Sequence, residues 1–324
     1  TNVDLQDFCL RGNPGGLFCA DASKQGEQLN TEGKLVEVPI ELFSPWLNLP
    51  PWLTMKIDGD WRFNPDNGVR AELRTGKIAI TPAGLNIEKN TILIEGESLE
   101  QLQLKAVSRL DNQDLTIAAD IKQTDKGLVV AGTAKAASSK VLNRDDIALA
   151  IAPDLQFSFV QGDKFSVKGD VVIAEGKVNL DKLSPSDEPS LSDDIVVVDS
   201  QKPEEEEPTL AMDIDVQVNI TEPLTITGLG FNGSVEGKLR VHQKPNDVML
   251  ATGELNAAGR YKAWGQDLTI DRGKIYYQRS PIAEPLLDIN ANRQVGAYSV
   301  GVNASGLASQ PTLTVFSKPS INET

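Results

Sequence analysis

The sequence is poor in what catalytic and nucleic-acid chemistry draw on. It has a single histidine, His242, two cysteines, Cys9 and Cys19, and only 5% aromatic residues among 324. A zinc site needs about four ligands and His242 lies far from both cysteines, so no metal site is expected. No nucleophile has a base beside it, so the expectation is a protein with no catalytic residues, no cofactor and no enzymatic activity. Lys and Arg number 31 against 46 acidic residues, a net charge of -15. Phosphate backbones need clustered cations, so no nucleic acid is expected as a partner. No apolar run approaches the ~20 residues of a membrane-spanning helix, and "TNVDLQDF" does not read as a signal peptide. The chain opens on Thr1, and we read it as a segment of a longer or processed protein whose anchor would lie outside it.

What the chain does have is alternation. In "MDIDVQVNI", residues 212–220, Met212, Ile214, Val216, Val218 and Ile220 fall on one side of an extended chain, because successive side chains leave a pleated strand on opposite faces. Similar segments recur from Met55 onward, among them "MKIDGDWRF", "NTILIEG", "DLTIAADIKQ", "KFSVKGDVVI", "QDLTIDRGKIYYQ" and "TLTVFSK". Turn residues such as "NPDNG", "TDKG" and "VQGDK" separate them, which predicts antiparallel all-β structure. Two stretches break the pattern. "VPIELFSPWLNLPPWL", residues 38–53 with Trp46 and Trp52, is expected to be a short helix or crossing loop lying against the sheet. Residues 181–209, rich in Ser, Pro, Asp and Glu, cannot bury enough surface to offset their ordering entropy and are expected to be an acidic flexible loop. Glu204 to Glu207 read there as solvated charge rather than a cation site.

Other motifs carry little. "GLGFNG", residues 228–233, has the glycine spacing of a dinucleotide fingerprint, yet "SVEGKLRV" follows it as a strand instead of a helix. A tight turn at Gly228, Gly230 and Gly233 explains it better. The pairs Asp213/Asp215 and Asp193/Asp194 suit a solvated polar face or loop, and His242 is expected to be an exposed strand residue. The glycosylation-type triplets "NIT", "NGS", "NAS" and "NET" are taken as chance. Cys9 and Cys19 flank "NPGG", a turn that could bring them together in a hairpin disulfide, the alternative being two free thiols.

A sheet with one aliphatic face must cover it with a second sheet, with helices or with an apolar ligand. Helices are nearly absent, and Ala and Gly recur on the aliphatic side, which leaves room for a ligand. The segments "GELNAAGRYKAWGQDLTIDRGKIYY", "PLLDINANR", "VGVNASG" and "PTLTVFSKPSI" resemble the TamB C-terminal domain family of the AsmA-like superfamily. "IAPDLQFSF", "VKGDVVIAEGKVNL" and, near the start, "FCLRGNPGGLFC" and the Pro-rich stretch resemble its order of segments.

The resemblance implies a long curved antiparallel sheet folded as a β-groove, or β-taco, with an apolar interior. It implies a Gram-negative periplasmic protein anchored in the inner membrane by a segment not present here. It implies partnership with the outer-membrane barrel TamA, a part in autotransporter and outer-membrane protein biogenesis, and movement of phospholipid between the two membranes. An oxidising periplasm favours a bonded Cys9 and Cys19. The expected organisation is 1–54, N-terminal strands with the Cys9 and Cys19 hairpin; 55–180, a first groove segment; 181–209, the acidic loop; and 210–324, a second groove segment. Expected partners are phospholipid acyl chains, TamA and unfolded outer-membrane protein clients. Candidate lipid-facing residues are Ile117 and Val130, then Ile214, Val216, Val218, Leu239, Val241, Leu250, Leu268, Ile270, Leu287, Ile289, Val300 and Val302. The rival reading is a scaffold that accepts client or TamA strands by β-augmentation.

Overall fold

The computed structural model describes residues 2–12, 15–26, 28–43, 53–80, 85–110, 113–125, 127–183, 211–263 and 265–320. The chain forms two compact units, Thr1–Asn143 with Leu149–Ala174 and Ile214–Asn219, and Arg144–Ala148 with Glu175–Asp213 and Ile220–Thr324. The first contains β1 (Val3–Arg11), β2 (Leu17–Gln25), β3 (Gln28–Pro39), β4 (Leu53–Thr54), β5 (Lys56–Asn64), β6 (Gly68–Thr75), β7 (Ile78–Ile80), β8 (Leu85–Ser98), β9 (Gln101–Leu110), β10 (Gln113–Thr124), β11 (Gly127–Ala136) and β12 (Ser139–Asn143). The division falls within β13 (Ile147–Val160), β14 (Lys164–Asn179) and β15 (Ala211–Gly228). The second unit contains β16 (Phe231–Gln243), β17 (Leu250–Ala263), β18 (Gln266–Pro281), β19 (Leu286–Val295), β20 (Tyr298–Leu307) and β21 (Thr312–Lys318). The fold is all-β and antiparallel, as the alternation predicts.

In the first unit pairing proceeds from β1 to β2, β3, β5, β6, β8, β9, β10, β11 and β13, all antiparallel. In the second it runs in sequence order from β16 to β21. Tight turns make this meander possible. In the β5–β6 turn the Asn64 side-chain oxygen accepts from the Asp66 amide at 2.8 Å and the Asn64 carbonyl accepts from the Asn67 amide at 3.1 Å. In "GLGFNG", Gly228 and Gly230 take φ of 112° and 83° to turn the chain into β16, so these glycines build a turn between strands.

Bulges punctuate the ladders. Asp7, Glu37 and Arg279 have φ of 52°, 48° and 58° and sit where the register of β1, β3 and β18 slips. A left-handed residue other than glycine is costly by ~1–2 kcal/mol. Carboxylates of the neighbouring strand offset this: Asp21 accepts from the Asp7 amide at 2.6 Å, and Asp58 from the Glu37 amide at 2.9 Å. Each bulge adds local twist and bend.

Of the irregular stretch 38–53, Ile40–Phe43 forms a single 3-10 turn. Ile40 joins Leu35, Val38 and Ile57 in a buried cluster, with Leu42, Met55 and Trp61 packed against it. Trp46 and Trp52 lie outside the described residues, as do Asp193, Asp194 and Glu204 to Glu207 of the acidic stretch. Cys9 and Cys19 face each other across β1 and β2 and are disulfide-bonded, with their Cα atoms 4.1 Å apart. No described helix is long and apolar enough to cross a membrane.

Candidate functional site: the apolar strand face

Register turns the alternation into continuous rows. In the first unit Phe18, Leu35, Gly59, Leu73, Ile92, Ala106, Ile117, Ala134 and Leu155 are successive cross-strand partners. Two residues further along each strand lies a second row: Ala20, Gly33, Trp61, Ala71, Ile94, Leu104, Ala119, Gly132 and Phe157. A third joins Leu102, Ile121, Val130 and Phe159. None of these residues is polar. The intervening row, on the other face, reads Glu32, Arg62, Arg70, Glu95, Gln103 and Asp120. There Arg70 and Glu95 form an ion pair. An open depression of about 1360 Å³ is lined by Arg62, Arg70, Glu95 and Gln103 together with the β5–β6 and β8–β9 turns.

The second unit repeats the arrangement. Gly237, Leu255, Ile275, Leu287 and Gly306 form one row, and Gly233, Gly259, Ile270, Ala291, Val302 and Val315 another. Gly273, Ile289, Ala304 and Leu313 lie between them. The opposite face is a charge ladder, with Lys274 2.7 Å from Glu254, Arg272 2.8 Å from Asp288 and Arg260 2.9 Å from Asp267. Glu254 hydrogen-bonds the Lys274 ammonium and raises its pKa. Burial raises that of the Tyr277 phenol, whose hydroxyl donates to the Ile282 carbonyl at 3.3 Å.

Most of the predicted wall residues fall on these rows. Ile117 and Val130 lie on the first unit's face, and Val216, within β15, is 9% exposed. Leu239, Val241, Leu268, Ile270, Leu287, Ile289, Val300 and Val302 pair in phase with the second unit's apolar set. Ile214 and Val218 share a face of β15 with Val216 by alternation. Leu250 does not belong with them. It stands opposite His242, and the face of β17 that meets Val241 and Leu239 carries Ala251 and Gly253. His242 itself is half-buried rather than exposed. Asp213 also departs from the solvated reading: it is 8% exposed, and its carboxylate lies 3.3 Å from the Lys244 ammonium.

Sequence reasoning passed over much of the wall, including Trp61, Phe157, Leu255 and Ile275. Glycines of other strands have a packing role that it did not see. A Cβ on Gly33 would lie 2.3 Å from the Trp61 ring, and one on Gly59 2.9 Å from a Leu73 methyl. On Gly237 and Gly253 it would approach Leu255 and Leu239 at 3.1 and 3.2 Å. These glycines seat large side chains of the adjacent strand; Trp61 in addition stacks on Phe18 with ring centroids 5.1 Å apart. The result is a filled, low-relief apolar surface. Leu35, Leu239, Leu255, Leu268 and Val302 on it are buried, and most of its other large side chains are half-buried. No group of three His, Cys, Asp or Glu side chains that could hold a metal occurs among the described residues.

The TamB C-terminal domain model matches residues 103–324, about two thirds of the chain and all of the second unit's paired strands. The chain belongs to the TamB C-terminal domain family. A curated TamB relative is the translocation and assembly module subunit TamB of Haemophilus influenzae (strain ATCC 51907 / DSM 11121 / KW20 / Rd), 26% identical over 241 residues. That alignment takes in 65% of this chain and 18% of the relative, so the chain spans under a fifth of the curated protein's length. Residues 1–102 lie outside the matched TamB span.

Proposed function

We propose that the chain is the C-terminal part of a translocation and assembly module subunit and that its apolar face is a conduit for phospholipid acyl chains. The carrying observation is the unbroken apolar rows, nine strands wide in the first unit, most of whose large side chains, Ile92, Ile117, Leu155 and Phe157 among them, are only half-buried. Each buried methylene is worth about 0.8 kcal/mol, so an acyl tail gains by leaving water for such a face. A low-relief wall gives the tail no single deep seat, so it can slide. No catalytic group is needed, and the protein acts without enzymatic chemistry.

In this reading the full-length protein is anchored in the inner membrane, crosses the periplasm of a Gram-negative cell and meets the outer-membrane barrel TamA in autotransporter and outer-membrane protein biogenesis. The test is mass spectrometry of organic extracts from the purified chain and from a Val216→Asp/Ile289→Asp variant. Phospholipid should copurify with the wild type and be lost from a variant that keeps its β circular dichroism. Wild-type protein free of lipid would sink the reading.

A second reading is favoured by β21. It pairs with β20 alone among the described strands, carries its one charge at its last residue, Lys318, and has Leu313 and Val315 51% and 85% exposed. Natural sheet edges are usually guarded by charge or proline. Between its flanking Pro311 and Lys318 the edge has neither, which suits acceptance of a TamA or client strand. Val315→Pro should abolish such capture while leaving lipid copurification intact.

A further inference from the structure

We propose that Arg293, with Gln266, holds the phosphate of a phospholipid whose tails lie on the second unit's apolar face. Register isolates this residue. Of the Arg and Lys residues of β16 to β21 that stand directly opposite a residue of a neighbouring strand, Arg293 alone falls in line with the apolar set, two residues beyond Ala291 and directly opposite Val300. Lys274, Arg272 and Arg260 project from the other face and each has a carboxylate. Arg293 has none within reach among the described residues. Its partner is the side-chain oxygen of Gln266, a neutral acceptor that leaves the charge uncompensated.

The surroundings make this cation unusual. Ala291 and Val302, beside it on the same face, are 1% and 7% exposed and pack with Leu268, which is 6% exposed, and Ile270. Arg293 is half-buried as a residue and its fork, bonded to the exposed Gln266, sits at the rim of this cluster, where an adjoining apolar wall strengthens attraction to an anion and the planar fork suits phosphate oxygens. Gln266 holds the fork and offers its own amide N–H to the same ligand. Distances also fit. From Arg293 back to Leu287 is six residue steps along β19, about 20 Å at ~3.4 Å per residue, with Ala291, Ile289 and Leu287 on the apolar side. One leaflet of a bilayer's hydrocarbon core is about 15 Å thick. A lipid with its phosphate on Arg293 can therefore lay its tails over the buried Ala291 onto the half-buried Ile289 and Leu287.

This inference rests on the conduit reading, and calorimetric titration of the 324-residue chain separates the two. The probes are dioctanoyl-phosphatidylglycerol, dioctanoylglycerol and inorganic phosphate. The phospholipid should bind at least about tenfold more tightly than the diacylglycerol, equivalent to about 1.4 kcal/mol. Arg293→Gln should remove that advantage without changing diacylglycerol affinity, and Arg293→Lys should keep part of it. Gln266→Glu, which supplies the missing carboxylate and retains the arginine, should remove it as well. Circular dichroism confirms that each variant is folded. Unchanged phospholipid binding in folded Arg293→Gln and Gln266→Glu overturns the assignment and leaves the conduit standing. Inorganic phosphate binding as tightly as the lipid also overturns it, by making the site one for free anion. Failure of both lipids to bind overturns the conduit and the headgroup site together.

Discussion

Ile289→Asp distinguishes a face open to ligand or solvent from the interior of a closed sandwich. Ile289 is half-buried and is paired across the sheet with two small residues, Gly273 and Ala304. Fully burying an isoleucine is worth about 1.5–3 kcal/mol, so losing half of that costs about 1 kcal/mol. Replacing a β-branched residue by Asp in a strand adds up to ~1 kcal/mol. The total is about 2 kcal/mol, because the new carboxylate reaches water. In a closed core the same substitution would strand a charge and cost upward of ~4 kcal/mol, enough to unfold many domains. Urea denaturation followed by circular dichroism on delipidated protein measures the difference. A loss beyond ~4 kcal/mol, or a variant that does not fold, refutes the open-face argument.

Three further outcomes follow from the geometry. Reducing the Cys9–Cys19 bond, which closes a loop of sequence separation 10, should destabilise the hairpin by about 2.5–3 kcal/mol, with hydrogen exchange quickening first in the all-exposed β1. Gly33→Ala places a Cβ 2.3 Å from the Trp61 ring and 2.4 Å from the Cys19 carbonyl, and should cost about 1–3 kcal/mol by displacing both; a denaturation midpoint equal to wild type would contradict the packing described. The Tyr277 phenol has its pKa raised from 10.0 by burial, so the folded chain holds that proton more tightly than the unfolded one. Its contribution is complete below pH 10 and is lost as pH rises through the folded value. Tyr277→Phe should therefore unfold less steeply than wild type above pH 10, and parallel alkaline curves would count against the burial.

The β class was legible because period-two alternation with Asn, Asp and Gly turns has few competing explanations. Individual faces were harder. Leu250 looks like a wall residue in "DVMLATGEL", yet the true inner set of β17 is Ala251, Gly253, Leu255, Ala257 and Gly259, mostly residues too small to stand out as apolar. Pairing with Leu239 and Val241 fixes that phase, and pairing cannot be read from one strand. β18 hides more: Leu268 and Ile270 face the same side as Gly273 and Ile275 because the register slips between Ile270 and Arg272. An alternation count carried through "LTIDRGKIYY" assigns the second half to the wrong side. Asp213 shows a different limit, since its ion-pair partner Lys244 lies 31 positions away.

The most direct test of the conduit is site-specific photocrosslinking in growing cells labelled with radioactive phosphate, with a benzophenone amino acid placed at Ile289 or at Asp288. These neighbours point to opposite faces of β19. Labelled phospholipid should attach at position 289 and not at 288. Equal labelling at both positions, or none at 289, would contradict an apolar face that carries lipid.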